Sequence, residues 1–69
     1  MNNLLENLGK QIRDRRNFLH ITQGDLAEIA GVSLRSLIAI EQGKGNPSLS
    51  QLMKILDVLG LKVEISNKN

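Results

Sequence analysis

The sequence predicts an all-α domain of four to five short helices, ended by a single C-terminal β-strand. Three observations carry this. Leucine and isoleucine recur at helical spacing along most of the chain. Thr22, Ser33 and Ser48 stand where helices begin, and Gly31 and Gly60 where helices stop. After Gly60 the apolar period drops to two: Leu61, Val63 and Ile65 alternate with Lys62 and Glu64.

The first helix starts at Asn3, with Glu6 as a capping-box partner. Leu5, Leu8, Ile12 and Leu19 form its apolar stripe, and it stops near His20. His20-Ile21 connects to Thr22, the N-cap of a second helix whose first turn carries Asp25. That helix reaches Ala30, and Gly31 supplies the left-handed turn. Ser33 caps a third helix over Leu34 to Gln42. Gly43-Lys44-Gly45-Asn46-Pro47 reads as a loop. Ser48 and Gln51 form a second capping box, and the fourth helix buries Leu49, Leu52, Ile55, Leu56 and Leu59. The layout is one domain over 1–69, with a helical core at 3–60, a strand at 61–66 and a tail at 67–69.

A lone strand leaves its backbone donors and acceptors unpaired. The simplest partner is the same strand of a second copy, across a two-fold axis. The other reading of this segment is a disordered tail. Size favours a partner. A chain of 69 residues buries only roughly 60% of its unfolded surface. Without cysteine, no disulfide or thiolate metal site can staple it.

Phe18 is the sole aromatic residue, which argues against base-stacking platforms for single strands. The net charge is +2, yet Lys10, Arg13, Arg15 and Arg16 cluster on the first helix. Such a cluster reads as a phosphate-binding face or as a solvated helix face. No signal peptide or spanning apolar stretch is visible, so a cytoplasmic protein with no membrane contact is expected. One histidine and no paired carboxylates beside a nucleophile leave no catalytic inventory. Neither a metal-ligand spacing nor a phosphate cradle is present, so no metal and no cofactor are expected.

Gln23 to Glu41 meets the demands of a helix-turn-helix. Ala27 is the small residue at the helix crossing, and Gly31 gives the turn its positive φ. Leu26, Ala30, Val32, Leu37 and Ile40 join both helices in one core. A generic four-helix bundle is the alternative, but it does not require this turn. In a helix-turn-helix the second helix enters a major groove of DNA. Its outward residues here are Ser33, Leu34, Arg35, Ser36, Ile38 and Ala39. The Arg35 fork fits the acceptors of guanine, or clamps a phosphate. Leu34 and Ile38 are large and apolar for an exposed face. Thymine methyl groups would cover them, or Ile38 joins the core. Lys44 and the glycines of its loop lie close enough to the third helix to reach phosphates.

Thr22-Gln23-x-x-Leu26-Ala27, Gly31-Val32-Ser33, Leu37-x-x-Ile40-Glu41-x-Gly43 and Pro47-Ser48-Leu49 together resemble the Cro and phage-repressor type (Xre family) of bacterial regulators. The resemblance covers about residues 8 to 60. It implies a lambda-repressor-like fold that binds a palindromic operator as a homodimer. It also implies that Gln23 holds a DNA phosphate and that Arg16 and Glu41 form a partly buried ion pair, leaving Arg13 and Arg15 free. The chain departs from the pattern at Gly24, where a helix former is common, and at His20, where glycine is common. Ile55-Leu56-x-x-Leu59-Gly60-Leu61-x-Val63-x-Ile65 further resembles the end of short HipB-type antitoxins. That likeness implies a C-terminal dimer strand and a HipA-type serine/threonine kinase toxin as partner. Three functions follow. The first is an antitoxin that represses its own operon; the second is a free-standing repressor. The third is a protein-interaction module without DNA binding. Phe18 and Ile29 are candidates for a partner surface, or plain surface hydrophobes.

Overall fold

A computed structural model describes residues 3–64. It contains α1 (Asn3–Phe18), α2 (Gln23–Ala30), α3 (Leu34–Glu41) and α4 (Leu49–Val58). The Asn3 side chain, and so the capping box expected there, lies outside the described residues. The other three N-caps are formed. The Thr22 hydroxyl accepts from the Asp25 amide at 3.0 Å, and the Asp25 carboxylate accepts from the Thr22 amide at 3.4 Å. Ser33 accepts from the Ser36 amide at 3.0 Å. Ser48 and Gln51 exchange bonds of 3.1 and 3.3 Å. Each cap satisfies a donor that the first helical turn leaves open.

All four helices end in the same motif. The second or third residue past the helix donates to a carbonyl five residues back: Ile21 to Arg16, Val32 to Ala27, Lys44 to Ala39 and Leu61 to Leu56. The residue before each of these donors lies in the left-handed region: His20, Gly31, Gly43 and Gly60. His20, at φ 59°, is the exception to glycine. A side chain in that conformation costs roughly 1–2 kcal/mol. His20→Gly should therefore stabilise the fold by about 1 kcal/mol once the added freedom of the unfolded chain is set against it. In a domain of this length that raises Tm by about 4–8 °C. Thermal unfolding followed by circular dichroism checks this; an unchanged Tm would show that the His20 backbone is unstrained.

The core is built from all four helices. Ile12, Leu26, Leu37, Ile55 and Leu59 are fully buried, with Ala27, Ala30, Ile40 and Leu56 beside them. Leu8, Ile21, Val32, Leu52, Val58 and Leu61 pack around this centre. Two expectations need correction. Leu19 lies past the end of α1 and is exposed. Leu49 is 71% exposed, because it occupies the first turn of α4 at the margin of the buried face.

Gly9 had no role in the sequence reading. It is buried in α1, where a Cβ would overlap the Ile40 carbonyl oxygen and stand 2.9 Å from that of Glu41. The bare backbone lets α1 and α3 approach this closely. Gly43 has a similar part: at φ 72° its own Cβ would sit 2.9 Å from the Glu6 Cα. Its Cα faces Glu6 of α1, and its amide donates to the Ile40 carbonyl at 3.0 Å.

The strand expected at 61–66 is absent among the described residues. Leu61 to Glu64 have no regular structure. The Leu61 amide closes the end of α4 and its side chain packs on the core, while Val63 is exposed. The described residues offer this segment no ladder partner. Ile65 and the residues after it lie outside the described part.

Candidate nucleic-acid interface

The exposed side of α3 follows from what its other side must do. Leu37 and Ile40 face the core, so Leu34, Arg35 and Ile38 turn away from it. Arg35 is exposed, and its side chain makes no hydrogen bond with the described residues. Arg35, Ser36 and Ala39 form one wall of a groove of about 260 Å³. Lys44, Asn46 and Pro47 of the following loop, with Gln51 of α4, form the other. The groove thus brings together four of the predicted site residues: Arg35, Ser36, Ala39 and Lys44.

The other predicted residues lie elsewhere. Ser33 is occupied by its cap, and its hydroxyl also donates to the Ser36 hydroxyl at 2.8 Å. Leu34 is 46% exposed, outside the groove. Ile38 is half-buried but is not among the residues packed against the core. Gln23 is turned inward, its amide nitrogen donating to Glu41 Oε1 at 3.1 Å.

Arg16 and Glu41 meet across α1 and α3. Arg16 Nε donates to Glu41 Oε2 at 2.7 Å and Nη2 donates to Oε1 at 3.0 Å. Arg16 Nη1 donates to the Ile21 carbonyl at 3.0 Å, tying the entry of α2 to the same pair. The side chains are 11% and 2% exposed. The hydrogen bonds that Arg16 donates to Glu41 hold its guanidinium above its ordinary range, so its charge persists throughout the accessible pH range.

The basic cluster on α1 changes meaning. Lys10 pairs with Asp14 at 2.7 Å on the exposed face, and that bond draws the Asp14 carboxyl below its ordinary value. Arg15, expected to be free, is not. Its Nε donates to the Leu59 carbonyl at 2.9 Å, at the end of α4, and its guanidinium lies 5.2 Å from the centre of the Phe18 ring. Such a cation over an aromatic face is favourable, and it gives exposed Phe18 a partner within the chain. With Arg16 engaged by Glu41, Arg13 alone of the four makes no side-chain hydrogen bond with the described residues. Two of the four, Arg15 and Arg16, are held by the frame. No group of three or more acidic, histidine or cysteine side chains among the described residues could hold a metal. No described helix is long and apolar enough to cross a membrane.

A family model described as helix-turn-helix matches residues 12–65. That span takes in the turn at Gly31, the capped α3 and the groove beside it. The chain belongs to the helix-turn-helix family of the Cro and phage-repressor (Xre) type. Relatives share this segment. An uncharacterised HTH-type transcriptional regulator of Methanocaldococcus jannaschii is 49% identical over 45 residues, 65% of this chain and 68% of the relative. One of Methanothermobacter thermautotrophicus is 43% identical over 49 residues, 71% of each chain. The cryptic phage CTXphi transcriptional repressor RstR of Vibrio cholerae is 31% identical over 55 residues, 80% of this chain but 49% of that repressor. Within this helix-turn-helix domain, sequence reasoning missed Gly9, the Arg15 bond to α4 and the bond from Gln23 to Glu41. None has a local sequence signal, since each depends on a distant helix.

Proposed function

We propose that this protein is a sequence-specific DNA-binding transcriptional regulator, without enzymatic activity, that represses transcription from a palindromic operator. The observation that carries this is the free face of α3 with its groove. Arg35 is uncommitted among the described residues, lies beside Ser36 and Ala39 in the groove, and shares that groove with Lys44. This is what a helix needs in order to bring one forked donor to base edges while a nearby cation holds phosphate. Leu34 and Ile38 offer apolar surface to thymine methyl groups, and Ser33, Ser36 and Ala39 are small enough to let the helix approach.

The active species on this reading is a homodimer. Its two recognition helices would lie about 34 Å apart in successive major grooves. Of the segment Leu61, Val63 and Ile65, the part beyond Leu61 is the proposed seam, gaining from a second copy the ladder partner that is absent among the described residues. Leu61 is already anchored to the core, so the seam would begin beyond it. Such a regulator would act in the cytoplasm. The relatives' names speak of regulators and of one phage repressor, which favours the free-standing repressor. The antitoxin reading, with a HipA-type kinase as partner, rests on the pattern from Ile55 to Ile65 alone.

Titration against DNA from the protein's own upstream region tests the proposal. Arg35→Ala should weaken operator binding by about 1–3 kcal/mol while leaving mixed-sequence DNA much less affected. Affinity should also fall steeply with salt as phosphate contacts release counterions. Equal loss on both DNAs would make Arg35 a phosphate contact. One chain per operator, read from the stoichiometry, would remove the dimer.

A further inference from the structure

The C-terminal end of α4 is closed from another helix. α4 carries no basic residue in its last turn and does carry Asp57 there, although that end of a helix favours a cation. Arg15 of α1 supplies one, its Nε donating at 2.9 Å to the carbonyl of Leu59, the C-cap residue. The same guanidinium reaches the turn that follows: a Cβ on Gly60 would stand 3.6 Å from its Nη2. It also lies over the Phe18 ring, 5.2 Å from the centre. One residue past Gly60, the Leu61 amide donates to the Leu56 carbonyl at 2.9 Å and the Leu61 side chain packs on the core. Gly60, at φ 72°, is thus the residue between two fixed points. Glycine tolerates many conformations. Here Arg15 holds the peptide plane before it, and the core holds the residue after it.

We propose that Arg15 is a positioning residue for dimer assembly: by holding the Leu59 carbonyl it fixes the direction in which the chain leaves the core at Gly60, and with it the seam beyond Leu61. The inference rests on the dimer reading above. Lys62 to Glu64 are exposed and without regular structure, so their direction is inherited from the turn before them. Two copies related by a two-fold axis meet in register when both segments leave their cores at the same angle. An exit held in advance spares each copy part of the cost of ordering its segment on association. The same angle sets how far apart the two copies of α3 stand, which successive major grooves fix at about 34 Å.

The test is sedimentation of four proteins over a concentration series, without DNA. They are the wild type, Arg15→Met, Arg15→Lys and Ser48→Ala. Methionine keeps an unbranched apolar stem and removes the donors. Ser48→Ala removes the cap at the opposite end of α4, so it weakens the same helix without touching the exit turn. Arg15→Met should weaken dimerisation by about tenfold, because both copies must then order a freed segment. Ser48→Ala should weaken it by less than about twofold, since its site is remote from the turn. Arg15→Lys, which keeps a donor but not the planar fork, should fall between the two; it carries the comparison if Arg15→Met does not fold. Equal losses from Arg15→Met and Ser48→Ala would mean that Arg15 contributes helix stability alone. That result would overturn the inference and leave the dimer reading standing, as would an Arg15→Met variant that dimerises like the wild type. A wild type that stays monomeric at every concentration would remove the dimer reading, and this inference with it. Amide exchange on dilute, monomeric samples gives a second readout. The Leu61 amide should exchange at least about tenfold faster in Arg15→Met than in the wild type as the turn opens. Unchanged protection at Leu61 would overturn the proposal even with a weakened dimer.

Discussion

Replacing Glu41 with alanine is expected to unfold much of the protein at room temperature. The side chain is 2% exposed and accepts from Arg16 twice and from Gln23 once. Alanine would leave the Arg16 guanidinium, itself only 11% exposed, with the Ile21 carbonyl as its remaining partner. Removing one side of a buried pair costs about 3–5 kcal/mol. Marginal stability of roughly 0.05–0.15 kcal/mol per residue gives a chain of this length only about 3–10 kcal/mol in total. A single substitution thus consumes about three-tenths of the stability at the least. Arg16→Met/Glu41→Leu should cost far less, because no charge is left stranded. Urea unfolding of the three proteins checks the ordering. A Glu41→Ala loss below about 1 kcal/mol would mean that the pair behaves like a surface salt bridge.

The second large effect is expected at Gly9. An alanine there sets its Cβ against two carbonyl oxygens of α3, at Ile40 and Glu41. These are backbone atoms and cannot rotate away, so α1 must shift bodily. Helix propensity alone would favour alanine by about 1 kcal/mol. Overpacking costs typically about 1–3 kcal/mol and sometimes more. The shift also strains the Arg16–Glu41 pair, which joins the same two helices. We therefore expect a net loss of at least about 2 kcal/mol from overpacking and the disturbed pair together. Gly24→Ala is the matching control. Gly24 is exposed in α2, and a Cβ there meets nothing nearer than the Thr22 hydroxyl at 3.8 Å. That change should gain up to about 1 kcal/mol. The same substitution at two glycines should move Tm in opposite directions; a rise at both would show that α1 and α3 can separate at little cost.

The contrast between these glycines marks what could be read without a structure. Gly31 and Gly60 were legible as helix stops because the signal is local: apolar periodicity ends and a residue tolerant of positive φ follows. Gly9 sits mid-helix among good helix formers, and its reason lies in α3. Arg15 and Arg16 are neighbours of one type, yet one caps α4 through Leu59 and the other pairs with Glu41. Composition reads both as part of a basic face. The strand expected after Gly60 shows the same limit from the other side. Alternation fits a strand, but a ladder needs a second strand, which the chain does not contain among its described residues.

Taken alone, the sequence determined the four helices, their serine and threonine caps, the turn at Gly31 and the apolar residues that join α2 to α3. Those features depend on residues within about one helical turn of each other, so local chemistry suffices to decide them. Only the tertiary structure decided which cations are free, where Gln23 points and why position 9 has no side chain. Those depend on contacts between residues 18, 25 and 44 positions apart. Partners at such separations are chosen by the packing of whole helices, and no short window of sequence encodes that choice.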